Sequence, residues 1–338
     1  MSTFIIAEAG SNHSGSLEIA KEMIEVAKEC GADAVKFQLF RARTMYPNKF
    51  IEVKYLKDTG EKKDLYSLIE NLEVPQAWIP LLVDHALKNN IEFMATPFDL
   101  EAVGFLNPYV NYFKIASYEC LYEDLINEVK KTKKPVFIST GGCTESEIDL
   151  LVNRLLFDYK DKTALLHCIA KYPTPIEQAN LGIIPYLAKK YGIKVGYSDH
   201  TREPIVAPVV AVALGAKVIE KHFTLNRKMA GPDHAYAVEP DELKSMVEAI
   251  RSIEKSIIPS NRRDLQGCEN ELYFYKRCIY LNCNLSKGQK IKKSHLVMLR
   301  GTGEVCIYFS PTEIDNVVGR ILKRDKKANE IIRHGDLV

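Results

Sequence analysis

Two short segments, Gly-Tyr-Ser-Asp-His at 196–200 and Glu-Lys-His-Phe at 220–223, each set a histidine beside an acid. Each closes a run of strand character, 193–197 and 216–219, and the runs lie about one strand–helix unit apart. His200 and His222 are therefore expected to meet at one rim of a parallel sheet. There they would act as two neutral imidazole ligands for a divalent cation, with positions left for water or a substrate oxygen. That pattern suits Lewis-acid activation of a carbonyl by Mn2+ or Mg2+ rather than a closed structural zinc site. Asp199 and Glu220 stand beside them as groups that orient the histidines or as further ligands. The plainer alternative is a pair of hydrogen-bonded structural histidines.

Lysines form the second constellation. In an extended Val35-Lys36-Phe37-Gln38, Lys36 and Gln38 share the face opposite Val35 and Phe37. Lys114, in Tyr-Phe-Lys-Ile-Ala-Ser at 112–117, holds the same kind of position. An ammonium at the mouth of an apolar sheet needs an anionic partner. With Thr96, Ser117, Ser139, Thr140 and Ser198, the rim gathers two cations and a ring of hydroxyls, a set that fits a phosphate or a phosphorylated carboxylate. A Schiff-base lysine is the sharper rival, and simple pairing with Glu8 or Glu119 the structural one. Glu8 ends the first run, where a carboxylate can act as acid or base or hold a sugar hydroxyl. His13, just beyond it, fits substrate contact or a loop role equally. Thr144 and Glu147 match a capping box, so Gly141-Gly142-Cys143-Thr144 reads as a turn into a helix. Tyr172, in Tyr-Pro-Thr-Pro, and Asp233, in Gly-Pro-Asp-His, sit on loops after later runs; Asp233 suits sugar hydroxyls.

Eight short runs carry these groups. Runs 3–7, 33–35, 91–95, 112–113, 135–138 and 164–166 precede the two already named, and all eight end in polar residues. Helical periodicity fills the gaps, as at 17–30, 76–89, 146–156, 205–214 and 240–255. Strands alternating with helices predict a (β/α)8 TIM barrel of the α/β class, with its chemistry at the C-terminal strand ends. A length of 338 residues exceeds the roughly 250 typical of a barrel. The division expected is a barrel over 1–258, a linker over 259–272 and a small β-rich domain over 273–338. Short strands are predicted there at 277–282, 295–299 and 317–322. The stretch 44–73 is the longest interruption and reads as a loop or short helical excursion over the barrel mouth.

A net charge of +2 with both signs interspersed points away from nucleic acid and anionic membranes. The eight cysteines form no C-x-x-C pair and read as reduced, mostly buried thiols of a cytoplasmic protein. No basic segment followed by a long apolar one opens the chain, and no run approaches eighteen apolar residues.

At this point a family resemblance becomes specific. Ile-Ala-Glu-Ala-Gly-Ser-Asn-His, Ala-Val-Lys-Phe-Gln, Ala-Thr-Pro-Phe-Asp, Lys-Ile-Ala-Ser, Ile-Ser-Thr-Gly, Leu-His-Cys, Tyr-Pro-Thr-Pro, Gly-Tyr-Ser-Asp-His, Glu-Lys-His-Phe-Thr and Gly-Pro-Asp-His occur in order. Over essentially its whole length the chain resembles the sialic acid synthase family, with its legionaminic and pseudaminic acid branches. The tail resembles the antifreeze-like SAF domain of that family. The resemblance implies condensation of phosphoenolpyruvate with an N-acylated mannosamine-type aldose, or a diacetamido-dideoxy hexose, to a nine-carbon 2-keto acid and phosphate. It implies a divalent metal on His200 and His222, and phosphoenolpyruvate held by Lys36, Thr96, Lys114, Ser117, Ser139 and Ser198. Glu8, Gln38, Phe98, Tyr172 and Asp233 would face the sugar or the reacting water. It further implies a domain-swapped homodimer in which Arg300 of the tail reaches the N-acyl group. Two departures stand out: Ala170 replaces a common Asn or Ser, and Gly301 replaces the proline usual after the tail arginine. A Schiff-base pyruvate aldolase and a non-catalytic carbohydrate-binding protein remain as rivals.

Overall fold

The structure, a computed structural model, describes residues 2–47, 65–257, 276–301 and 308–338. The first of its two compact units runs from Met1 to Ile258. Eight strands form it: β1 (Phe4–Gly10), β2 (Ala34–Leu39), β3 (Glu92–Pro97), β4 (Phe113–Ile115), β5 (Val136–Ser139), β6 (Thr163–Cys168), β7 (Lys194–Asp199) and β8 (Val218–His222). They pair in parallel in sequence order, and β8 closes on β1 with His222 opposite Glu8. A helix follows each strand: α1 (Leu17–Glu29), α2 (Trp78–Lys88), α3 (Leu100–Leu106), α4 (Glu123–Lys131), α5 (Glu145–Leu150), α6 (Ile183–Tyr191), α7 (Val206–Ala213) and α8 (Pro240–Ser256). This is the (β/α)8 barrel that the run lengths predicted.

One alternation of side chains builds both layers of the barrel. Outward residues such as Ile5, Ala7, Val35, Phe37, Ile115, Ile138 and Ile219 are fully buried beneath the helices. Their neighbours point into the lumen. At its N-terminal end the lumen is plugged by Ile6, Ala34, Met94, Phe137, Ala164, Leu166 and Val218. Two residues further along the same strands come Glu8, Lys36, Thr96, Ser139, Cys168 and Glu220. The strands therefore run one to four residues beyond the apolar runs, carrying these lumen-facing polar groups within the ladder.

Local signals set the helix ends. Thr144 caps α5 through the Glu147 backbone N–H, and the Glu147 carboxylate accepts from the Thr144 N–H, the reciprocal box read in the sequence. The helix expected over 146–156 starts at Glu145 and passes into a π-helical segment, Leu151–Leu155. Before α2, the expected excursion includes two short helical segments, Ala42–Met45 and Leu65–Glu70; its centre lies outside the described residues. The expected linker also lies outside them, apart from the unit boundary after Ile258. No helix among the described residues is long and apolar enough to cross a membrane.

The second unit is built on an antiparallel pair, β9 (Arg277–Leu281) and β10 (Leu296–Arg300). Its core comprises Ile279, Leu281, Leu285, Ile291, Phe309, Val317, Leu322, Ile332 and Leu337. The strand expected at 317–322 does not form. A 3-10 segment, Pro311–Asn316, runs up to it and Gly319 turns the backbone at φ +86°, leaving only isolated bridges at Ile321 and Leu322. The apolar spacing there marks core contacts made by a turn.

Two glycine substitutions contrast the packed lumen with an open helix surface. A Cβ at Gly196 of β7 would meet the Val218 carbonyl oxygen at 2.5 Å and Leu166 Cδ2 at 2.6 Å. Gly196→Ala is expected to cost about 1–3 kcal/mol or more in urea unfolding. Gly104 is exposed within α3 with open space around its Cβ position, so Gly104→Ala should gain about 0.5–1 kcal/mol.

Candidate active site

Where the lumen opens at the C-terminal strand ends, four buried charges meet. Lys36 Nζ lies 2.6 Å from Glu8 Oε2 and 3.6 Å from Glu220 Oε2, and donates to Thr96 Oγ1 at 3.0 Å. Lys114 Nζ lies 3.7 Å from Glu220 Oε1 and donates to the Ile115 carbonyl at 3.1 Å. All four side chains are at most 5% exposed. Burial opposes charge on every one of them, and the outcome depends on the partners. It pushes the Lys36 ammonium down, but Glu220 and Glu8 more than compensate and hold it above its ordinary value. Lys114 has no carboxylate as close, and burial leaves it below its ordinary value. Burial works against the Glu220 carboxylate too, yet Lys114 and Lys36 hold it down at about 2.

Around this cluster the cleft is lined by Gln38, Thr96, Ser117, Ser139, Tyr172, Ser198, His200 and His222. Gln38 donates to Glu8 at 2.8 Å and Ser198 to Glu220 at 2.9 Å. Ser139 Oγ and His222 Nδ1 are buried without a protein hydrogen-bond partner. Two unpaired polar atoms in one cleft mark where a ligand belongs. A wider surface groove near Asp124, Asn127 and Lys131 gathers no comparable set.

The two histidines meet as expected, with ring centroids 5.6 Å apart. His200 Nδ1 lies 2.8 Å from the Ile169 carbonyl, which assigns its proton there and leaves Nε2 as the free lone pair. Burial, reinforced by His222, pushes the His200 imidazole down to about 3, so it is neutral. Tyr172 stacks on His200 at 4.0 Å, and Tyr236 packs on both Tyr172 and His222. The neutral His200 and the buried, unpaired Nδ1 of His222 fit a divalent cation. Among the described residues no three or more His, Cys, Asp or Glu side chains are grouped to hold an ion, so these two would leave the other positions to water or substrate.

Three expected residues of the barrel lie off the lining. Phe98 packs edge-on against Phe40, and the Thr140 hydroxyl is turned to the Leu166 carbonyl. Asp233 stands just behind the rim, 3.9 Å from His222 Nδ1, and accepts from Ser11 at 3.2 Å. Arg300 is an exposed residue at the end of β10 in the second unit. Asp199 corrects its expectation. It neither orients the histidines nor faces the cleft, because alternation along β7 turns it outward, where it pairs with Lys221 at 2.7 Å. His13 is buried against Trp78 and pushed down to about 4, chiefly by burial, which favours its loop role. His234 ties the β1 and β8 loops, contacting Thr224 at 2.6 Å and Ser14 at 3.1 Å.

Sequence reasoning undervalued Glu220 and missed Cys168 and Tyr236. Glu220 was legible: it lies two residues beyond Val218 and two before His222, hence on their face. Cys168 Sγ sits 3.6–3.7 Å from both nitrogens of His200, and only its place in β6 pointed there. Tyr236 lies on a loop whose path no periodicity reveals.

Removing the Glu220 carboxylate strips both lysines of a shared partner. Glu220→Ala is expected to destabilise the fold by about 3–5 kcal/mol in thermal or urea unfolding, with added inorganic phosphate restoring part of the loss. Glu119 offers a test by pH. Burial pushes its carboxyl up to about 7, against Lys114, and Oε2 has no hydrogen-bond partner. Between the usual carboxylate range and about 7 the folded state holds the extra proton, so stability falls as pH rises through this window. Glu119→Gln should remove that slope and be more stable than the parent at pH 8 by about 3 kcal/mol, read from urea midpoints at pH 5 and 8.

Comparison with known proteins matches the NeuB family over residues 23–261 and the SAF domain over residues 276–338. N,N'-diacetyllegionaminic acid synthase of Legionella pneumophila is 38% identical, over 97% of this chain and 92% of its own length. Pseudaminic acid synthase of Campylobacter jejuni is 33% identical, over 98% and 96%. A crystal structure of the N-acetylneuraminic acid synthetase of Leptospira borgpetersenii, in complex with citrate, matches with a TM-score of 0.68 and 34% identity. That match covers 80% of this chain and 93% of the other. With barrel, tail and ordered motifs all matched, the chain belongs to the NeuB family of synthases and ends in an SAF domain.

Proposed function

We propose that this protein condenses phosphoenolpyruvate with an N-acylated mannosamine-type aldose, or a diacetamido-dideoxy hexose, to give a nine-carbon 2-keto acid and phosphate. The observation that carries this reading is the buried cluster of Lys36, Lys114, Glu8 and Glu220, ringed by hydroxyls and set beside His200 and His222. Relatives along the full chain are named as synthases of legionaminic and pseudaminic acids.

In this reading Lys36, Lys114 and the hydroxyls of Thr96, Ser117, Ser139 and Ser198 receive the phosphate and carboxylate of phosphoenolpyruvate. Ser139 Oγ, unpaired in the free protein, gains its partner there. A divalent cation such as Mn2+ or Mg2+ on His200 and His222 would supply Lewis-acid polarisation of the sugar aldehyde. The enol carbon of phosphoenolpyruvate bonds to that aldehyde carbon, and water adds at the carbon bearing phosphate. Glu8, held by Lys36 and Gln38, would orient that water or a sugar hydroxyl and take its proton. The C–O bond to phosphate then breaks, and the two ammonium groups stabilise the departing anion. In the same reading Tyr172, stacked on His200, and Asp233, 3.9 Å from His222 Nδ1, would face the sugar. A homodimer belongs to the same proposal on family grounds, and sedimentation at assay concentration checks it.

One observation favours a second reading. Burial holds the Lys114 ammonium below its ordinary value, as a Schiff-base lysine requires. Borohydride trapping of pyruvate on Lys114 would select that aldolase chemistry. Lys221 is excluded from it, because its Nζ is occupied by Asp199 and the Thr201 and Glu203 carbonyls.

The deciding assay is phosphate release from phosphoenolpyruvate with Mn2+, using N-acetylmannosamine and a diacetamido-dideoxy hexose separately, with and without EDTA. EDTA-sensitive release with one sugar is expected. His222→Ala should lose roughly 100-fold or more in turnover with its circular dichroism unchanged. Full activity of that variant, or in EDTA, would overturn the metal assignment.

A further inference from the structure

Two thiols meet on the rim of the barrel without a part in the chemistry above. Cys120 closes the 3-10 turn Ser117–Glu119 after β4, and Cys143 sits in the glycine turn after β5. β4 and β5 are neighbouring strands, so their loops lie side by side. The loops are already joined once, where the Gly141 N–H donates to Ser117 Oγ at 3.0 Å. The sulfur atoms of Cys120 and Cys143 lie 3.1 Å apart. A disulfide needs about 2.05 Å, so closing the bond asks for roughly 1 Å of approach. Gly142, at φ +78°, and the partly exposed Cys143 give the β5 turn room to supply it.

We propose that Cys120 and Cys143 form a reversible dithiol–disulfide site whose oxidant is a low-molecular-weight disulfide of the glutathione type. Solvent reaches Cys143 first, since Cys120 is only 2% exposed. The hydrogen bond from Cys120 holds the Cys143 thiol below its ordinary value, which favours it as the attacking sulfur. The Cys143 thiolate attacks the small disulfide, forming a mixed disulfide and expelling one thiolate. Cys120 then loses its proton and attacks the Cys143 sulfur, and the second small thiolate leaves. Two protein thiols give up two electrons and two protons, and one small disulfide becomes two thiols. The resulting bond locks together the two turns that carry Ser117 and Gly141 at the cleft.

The test treats the folded full-length protein with glutathione disulfide, quenches with acid and iodoacetamide, and maps tryptic peptides by mass. Lys130, Lys131 and Lys133 lie between the two cysteines, so trypsin separates their peptides. A linked Cys120–Cys143 peptide pair, two hydrogens lighter than the free pair and lost on reduction with dithiothreitol, is expected. Cys120→Ser should instead retain glutathione on Cys143. Wild-type protein carrying glutathione on Cys143 beside a free Cys120, or both thiols recovered alkylated, would overturn the proposal. Mass is read here and not turnover, so the outcome is independent of the synthase reading.

Discussion

Two ammonium groups buried in the lumen of a barrel govern how the rest of this fold is arranged. An isolated buried charge costs several kcal/mol, and a lumen offers almost no water to offset it. Lys36 on β2 and Lys114 on β4 are held only because Glu8 and Glu220 reach them from β1 and β8. Those two strands pair only when the barrel closes, with Glu8 opposite His222 in the final register. Closure of the sheet and neutralisation of the lysines are thus one event. An open sheet ending at β7 would bury two lysines with one carboxylate between them.

The same two-residue period that gathers the charges keeps them from spreading. Below them the lumen is filled by Ile6, Met94, Phe137, Leu166 and Val218, so no polar path runs through the barrel. Outside them, most alternate residues are apolar and buried under a helix. The charged pair Asp199 and Lys221 shows the cost of departing from that pattern. They point outward from β7 and β8, and they persist by pairing with each other and with Tyr197, Thr201 and Glu203. Lys221 has every donor engaged, whereas Lys114 meets its carboxylate only at 3.7 Å. That contrast separates a structural lysine from one with capacity left for a ligand.

Much of this was legible because barrel strands are short and their faces strictly alternate. Val35-Lys36-Phe37-Gln38 states its two faces outright, and the strand–helix rhythm requires parallel pairing. What stayed hidden needed distances between strands remote in sequence. Glu220 and Asp199 look equivalent beside their histidines, yet the period puts one in the cleft and the other behind the sheet. Loop residues were harder still. Phe98 and Thr140 stand next to motifs that do line the cleft, but a turn after the strand redirects their side chains. At 317–322 apolar spacing suggested a strand where a glycine turn carries the same side chains into the core.

Charge balance links the cluster to the histidines. Two ammonium groups and two carboxylates cancel, so the lysines present no net positive field to an arriving phosphate ester. In the proposed reading, selectivity for the anion then rests on directed donors: Ser139 Oγ, the other rim hydroxyls and whichever lysine hydrogens the carboxylates release. In the same reading the remaining charge is met beside the cluster, where the neutral His200 and the neighbouring His222 would accept a cation. On that reading the site would bind its anion and its cation cooperatively, because each would supply the countercharge the other lacks. The desolvation of Glu8 and Glu220 is offset by the lysines they hold in place, and in the proposed reading both would stay near the reacting atoms.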